Sequence, residues 1–128
     1  MSAIETVAAL ARICLVVLFP FSALDKIVHW SDAKKQAESS FLPLGAPLVI
    51  AAIAVEIVTP ICIVFGWYPH IAALVLAAYC VATAVLYHPF WNFSDFWSSR
   101  DSEGNRHLWD FLKNFGLVGG LLLIVIYT

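Results

Sequence analysis

The sequence predicts an all-α protein, a four-helix transmembrane bundle with short extramembrane loops, forming one domain over residues 1–128. Two observations carry that expectation. Hydrophobic residues make up 62% of the chain and charged residues 12%, with a mean hydropathy of +0.87. A water-exposed domain carries about 25% charged residues, so half the charge needed to cover a soluble surface is missing. The apolar residues also gather in four stretches of about 20 residues, the length that crosses a bilayer as a helix. The same composition excludes a disordered chain. With a net charge of −2 and no basic run, no nucleic-acid partner is expected, and the expected surroundings are the lipid bilayer.

The first span is expected over about 4–28. It lacks a basic leading region and holds Arg12 inside the apolar stretch, so it reads as a retained span and not a cleavable signal. Pro20 should kink it. A polar connection over about 28–45 leads to the second span, about 46–65, where Pro60 should produce another kink. Gly66-Trp67-Tyr68-Pro69 has the Gly and Pro of a tight turn joining antiparallel helices. The third span, about 70–87, offers Ala73, Ala77 and Ala84 for close packing. A second polar connection, about 88–107, alternates aromatic and polar residues from His88 to Trp97; it reads as an interfacial anchor or as the wall of a ligand site. The fourth span, about 108–127, carries Gly116, Gly119 and Gly120, which allow close approach to a neighbouring helix.

Both long connections fall on one face of the membrane, with Lys26, Lys34, Lys35, Arg100 and Arg106, whereas the face with the termini and the short turn has no Lys or Arg. By the positive-inside rule the long loops are cytoplasmic and the termini outside. Trp30, Trp91, Trp97 and Trp109 fall at the long-loop face and Trp67 at the other. Indole rings favour that level because the ring is half dry and its N–H stays wet.

Ionisable groups within the spans cost about 2.5–3.5 kcal/mol each and so need a partner or a use. Arg12 lies about 12 Å and Glu56 about 13–14 Å from the termini-side surface, at 1.5 Å of helix rise per residue. An Arg12–Glu56 pair is the simplest way to satisfy both. It serves either as a register-fixing ion pair or as part of a ligand-binding or proton-handling site. Near the long-loop face, Asp25 and Lys113 come out at similar depth and can pair, leaving Lys26 to snorkel toward the headgroups. Asn114 lies beside Lys113. His29, His88 and His107 gather on the same face, where they could bind a metal or haem or a quinone carbonyl. No ligand spacing of the His-x-x-x-His kind is present, so no metal site is expected. Cys14, Cys62 and Cys80 lie inside the spans without a Cys-x-x-Cys arrangement, which removes a thioredoxin-like motif. Buried thiols of this kind act as small hydrophobes. No nucleophile elbow, phosphate loop or paired catalytic carboxylates appear, so no catalytic constellation is complete.

Arg12, the segment Phe21-Ser-Ala-Leu-Asp-Lys-Ile, Glu56, and the closing Leu112-Lys-Asn-Phe-Gly-Leu-Val-Gly-Gly-Leu-Leu resemble the DoxX family of small four-span bacterial membrane proteins along essentially the whole chain. The last of these segments carries the resemblance most clearly. Ala23 stands where the family usually has a glycine. The resemblance implies Arg12, Lys26, Glu56, Lys113 and Asn114 as functional positions and a bacterial cytoplasmic (inner) membrane location. It also implies similarity to the membrane subunit of a thiosulfate:quinone oxidoreductase. The expected role is a quinone-interacting or accessory subunit of a membrane redox complex with no intrinsic cofactor. In that role Lys113, Asn114, Asp25, Lys26 and His88 hold the quinone, and a protein partner or a second copy associates with the bundle. The alternatives are a non-catalytic scaffold that docks partner proteins, and a pathway for protons or a small solute.

Overall fold

A computed structural model describes residues 1–39 and 45–127. Ser2 opens the first helix with a capping box: its hydroxyl accepts from the Glu5 N–H at 3.1 Å, and its own N–H donates to Glu5 Oε2. Two orphan amides at the helix start are thereby satisfied. Helix α1 runs Ala3–Val16 and α2 runs Leu18–Val28, together making the first span. The break at Val17 is the kink expected from Pro20, which has no N–H for the Val16 carbonyl and whose ring crowds it.

The first long connection is not simply a loop. His29 closes α2, and Trp30–Glu38 forms a nine-residue helix, α3. Its sequence of good helix formers supports about two and a half amphipathic turns, with Ala37 buried and the charged residues exposed. The rest of the expected connection, 40–44, lies outside the described residues. Helix α4 covers Gly45–Phe65 and α5 covers Pro69–Tyr87. Between them Gly66 takes φ +74° and Trp67 N–H reaches the Cys62 carbonyl at 2.8 Å. That bond and the left-handed glycine close α4 as a Schellman motif. Pro69 then starts α5 where a missing N–H costs nothing.

After α5, a 3-10 turn at Phe90–Asn92 leads to α6, Glu103–Tyr127. The last helix begins earlier than the hydropathy of the fourth span indicates. Ser102 accepts from Asn105 N–H at 3.0 Å, and the Asn105 amide donates to the Phe96 carbonyl at 2.9 Å, tying the connection to the helix start. The aromatic stretch folds onto α6 as a cluster: Phe90 lies 5.1 Å from Phe96 and 5.2 Å from Phe111 between ring centres.

The core sits where α5 packs on α6 and α4, around fully buried Val16, Ile63, Leu76, Cys80 and Leu121. Ala73, Ala77 and Ala84 are all buried, so the small residues of the third span do bring its neighbours close. Gly120 is the glycine used within the chain, since a Cβ there would meet Leu15 Cδ1 at 2.9 Å, whereas Gly116 and Gly119 face open space. Among the described residues, four helical segments are long and apolar enough to cross a membrane: Ala3–Val28, Gly45–Phe65, Pro69–Asn92 and Glu103–Tyr127. Their outward faces expose Leu10, Leu24, Ile50, Leu74 and Leu123, side chains suited to lipid. All five tryptophans are exposed as well.

Candidate functional site

Helices α2, α4 and α5 enclose a cavity of about 510 Å³ in the long-loop half of the bundle, and α3 contributes Asp32, Ala33, Gln36 and Ala37 to its mouth. Its polar wall is built on Lys26. A helical side chain leans back toward the helix N-terminus, and the Lys26 ammonium accordingly returns one turn to donate to Ser22 Oγ at 2.8 Å. From there it stands 2.7 Å from Glu56 Oε1 on α4. The contact is ionic but lies outside the angular range of a hydrogen bond. Glu56 Oε1 therefore has charge compensation without an aligned donor among the described residues. Glu56 is only 2% exposed.

Two proline and threonine effects shape α4 around that carboxylate. Pro60 lacks the N–H that would bond the Glu56 carbonyl, and the Thr59 hydroxyl donates to the Val55 carbonyl at 2.7 Å. Across the cavity, Tyr79 of α5 lines the same wall as Glu56. Farther toward the loops, Asn114 Nδ2 of α6 donates to Thr83 Oγ1 at 3.5 Å, and both line the cavity with His88. An ammonium has three protons. Ser22 accepts one, and Glu56 compensates the charge without accepting an aligned bond, so the other two are available to a molecule in the cavity.

Four of the five residues expected to hold a ligand, Asp25, Lys26, His88 and Asn114, line this cavity. Lys113 does not. It is exposed and lines a separate groove with Arg100, Asp101, Arg106 and Trp109, because consecutive helical residues point about 100° apart. The expected Asp25–Lys113 pair is therefore replaced: Asp25 Oδ1 meets His29 Nδ1 at 3.1 Å. Lys26 does not snorkel outward, and the Arg12–Glu56 pair gives way to Lys26–Glu56. Depth counted along backbones omitted the reach of the lysine side chain back down its own helix.

Of the three long-loop histidines, His88 and His107 meet, with Nδ1 atoms 3.1 Å apart. Asp110 approaches His88 at 3.8 Å, Glu103 approaches His107 at 3.6 Å, and Phe93 stacks on the His107 ring. Among the described residues no group of three metal-ligating side chains forms. Cys14, Cys62 and Cys80 are free thiols. Sequence reasoning missed Tyr79, Ser22 and Thr83. Tyr79 carried a usable signal, since it lies about 15 Å along α5 from Pro69 and so near the depth of Glu56.

The DoxX family model matches residues 7–89. That range holds Lys26, Glu56 and Tyr79 and ends before α6, so the Lys113-Asn114 segment lies beyond it. The inner membrane protein YphA of Escherichia coli (strain K12) is 26% identical over 117 residues, covering 91% of this chain and 79% of YphA. No solved structure matches.

Proposed function

The chain belongs to the DoxX family and is an integral membrane protein, and on that premise we propose that it is a quinone-binding subunit of a membrane redox complex. Its place is the bacterial cytoplasmic (inner) membrane, the location named for the relative YphA, with the long loops cytoplasmic and the termini outside. One observation carries the reading: a cavity of about 510 Å³ whose apolar walls enclose a buried Lys26–Glu56 pair and Tyr79. Ligand sites are concave and mostly apolar, with a few convergent polar groups that fix orientation. An intramembrane ion pair beside such a space is a site of function by default.

A quinone carbonyl accepts hydrogen bonds, and Lys26 has an N–H to give. His88 and Asn114 lie at the loop end of the same space, where a second carbonyl would fall. In this reading a partner protein supplies two electrons, and two protons taken up with them convert the quinone to the quinol. A scaffold role is the second reading. It draws on Gly116 and Gly119, which leave open space on α6 for another helix.

Purified protein in mild detergent is titrated with a short-chain ubiquinone analogue, and binding is read by quenching of tryptophan fluorescence. Tyr79→Phe and Lys26→Met are expected to weaken binding at least about tenfold, the loss of one or two charge-assisted hydrogen bonds. Lys34→Gln, an exposed residue outside the cavity lining, should bind as wild type does. Wild-type protein that folds and binds no quinone analogue would transfer the case to the scaffold reading.

A further inference from the structure

A second groove, of about 560 Å³, opens on the exposed side of α6 and is lined by Arg100, Asp101, Arg106, Trp109, Asp110 and Lys113. It stands apart from the cavity and rests on nothing in the quinone reading. Arg106, Trp109, Asp110 and Lys113 recur at the i, i+3, i+4, i+7 spacing of one helix face, and the connection before α6 brings in Arg100. Among the described residues, none of these three cations forms an ion pair. The two aspartates do not neutralise them, and Asp110 is turned toward His88 at 3.8 Å.

Position in the membrane sharpens the question. Lys113 lies about 8 Å along α6 from Leu108, where the apolar part of the helix begins. An exposed ammonium inside the apolar layer is costly unless it reaches an anion or the headgroups. A lysine stem of that length snorkels toward the headgroup layer, where Arg106 and Trp109 already stand. Below the groove, Leu112 and Phe115 are exposed apolar side chains of the same helix, placed to lie against an acyl chain.

We propose that this groove binds the phosphodiester of an anionic phospholipid. Two guanidinium forks can hold phosphate oxygens bidentately, with Lys113 as a point charge on the inner side. The Trp109 N–H sits at the level where indoles meet headgroups. Three cations against two carboxylates leave the groove positive, which favours a headgroup with net negative charge over one that brings its own ammonium. Basic pockets beside membrane helices recognise lipids in this way.

The test is native mass spectrometry of the full chain, delipidated in detergent and offered phosphatidylglycerol, phosphatidylethanolamine or phosphatidylcholine at equal concentration. One phosphatidylglycerol per chain should be retained in preference to the other two. At about 1 kcal/mol per basic residue near the headgroups, Arg106→Gln should weaken retention about fivefold and Arg106→Gln with Lys113→Gln about 30-fold. Lys113→Arg, which keeps the charge, should retain the lipid, and circular dichroism confirms that each variant is folded. Equal retention of the three lipids, or unchanged retention by a folded double glutamine variant, overturns the proposal. Release of phosphatidylglycerol by millimolar inorganic phosphate would also overturn it, by showing that the groove reads a free anion.

Discussion

Glu56 loses its helical carbonyl partner to Pro60 and keeps its carboxylate 2% exposed beside Lys26, so its stability depends on that one cation. Removing one member of a buried pair leaves the other charge uncompensated, at a cost of about 3–5 kcal/mol. Lys26→Met and Glu56→Gln should each lower thermal stability by that amount, and the double variant should lose less than the two losses added. Additive losses in a double-mutant cycle would show that the two side chains do not act on each other. The sequence made both charges conspicuous but paired Glu56 with Arg12, because depth was counted from Cα positions alone. A lysine ammonium sits about a full helical turn from its Cα, and the first span is 26 residues long against 21 for the second, so depths counted from the span ends do not share one zero. The rotation of Lys113 away from Asn114 was missed as well, because the two were read as one motif although neighbours in a helix point about 100° apart. Asn114 lies seven residues before buried Leu121, on the same face, and Lys113 lies seven after Arg106.

At the scale of elements, helix α6 uses one of its glycines and leaves two open. Gly120→Val drives a branched side chain into Leu15, 2.9 Å from an added Cβ, and overpacking of that kind costs about 1–3 kcal/mol. Gly116→Ala meets open space and should raise stability by about 0.5–1 kcal/mol through helix propensity. Thermal melts in one detergent distinguish the two; equal effects would mean that α1 does not pack at Gly120. The spans were readable because hydropathy over about 20 residues overrides local detail. Helix α3 was not, since a nine-residue polar helix leaves neither a long apolar run nor several periods to detect. The early start of α6 was hidden for a related reason: its first turn is held by Ser102 and Asn105 side chains, not by apolar burial.

Across the whole molecule the two ends differ. The half near the termini is packed by Val16, Ile63, Ala73 and Leu121, and the cavity, the histidine pair and the cationic groove all lie toward the long loops. The same end carries Lys26, Lys34, Lys35, Arg100 and Arg106, and the proposed orientation, with that end cytoplasmic, rests on the positive-inside rule. Single cysteines placed by Ser2→Cys and Ser98→Cys should react with a membrane-impermeant maleimide from opposite sides, Ser2→Cys from outside. Labelling of Ser2→Cys only from the cytoplasmic side reverses the orientation.

The Gly66–Pro69 turn has a consequence for how the chain is made. Helices α4 and α5 leave the ribosome joined by three residues, Gly66 to Tyr68, and can pass into the bilayer as one hairpin. Glu56 travels in that hairpin with Tyr79 on the opposite arm, both of them lining the cavity. Lys26 is synthesised earlier and already stands in the membrane on α2 when the hairpin arrives. The charge that would oppose insertion thus has its counter-ion on a span made before it, and the ion pair that walls the cavity also ties the hairpin to α2.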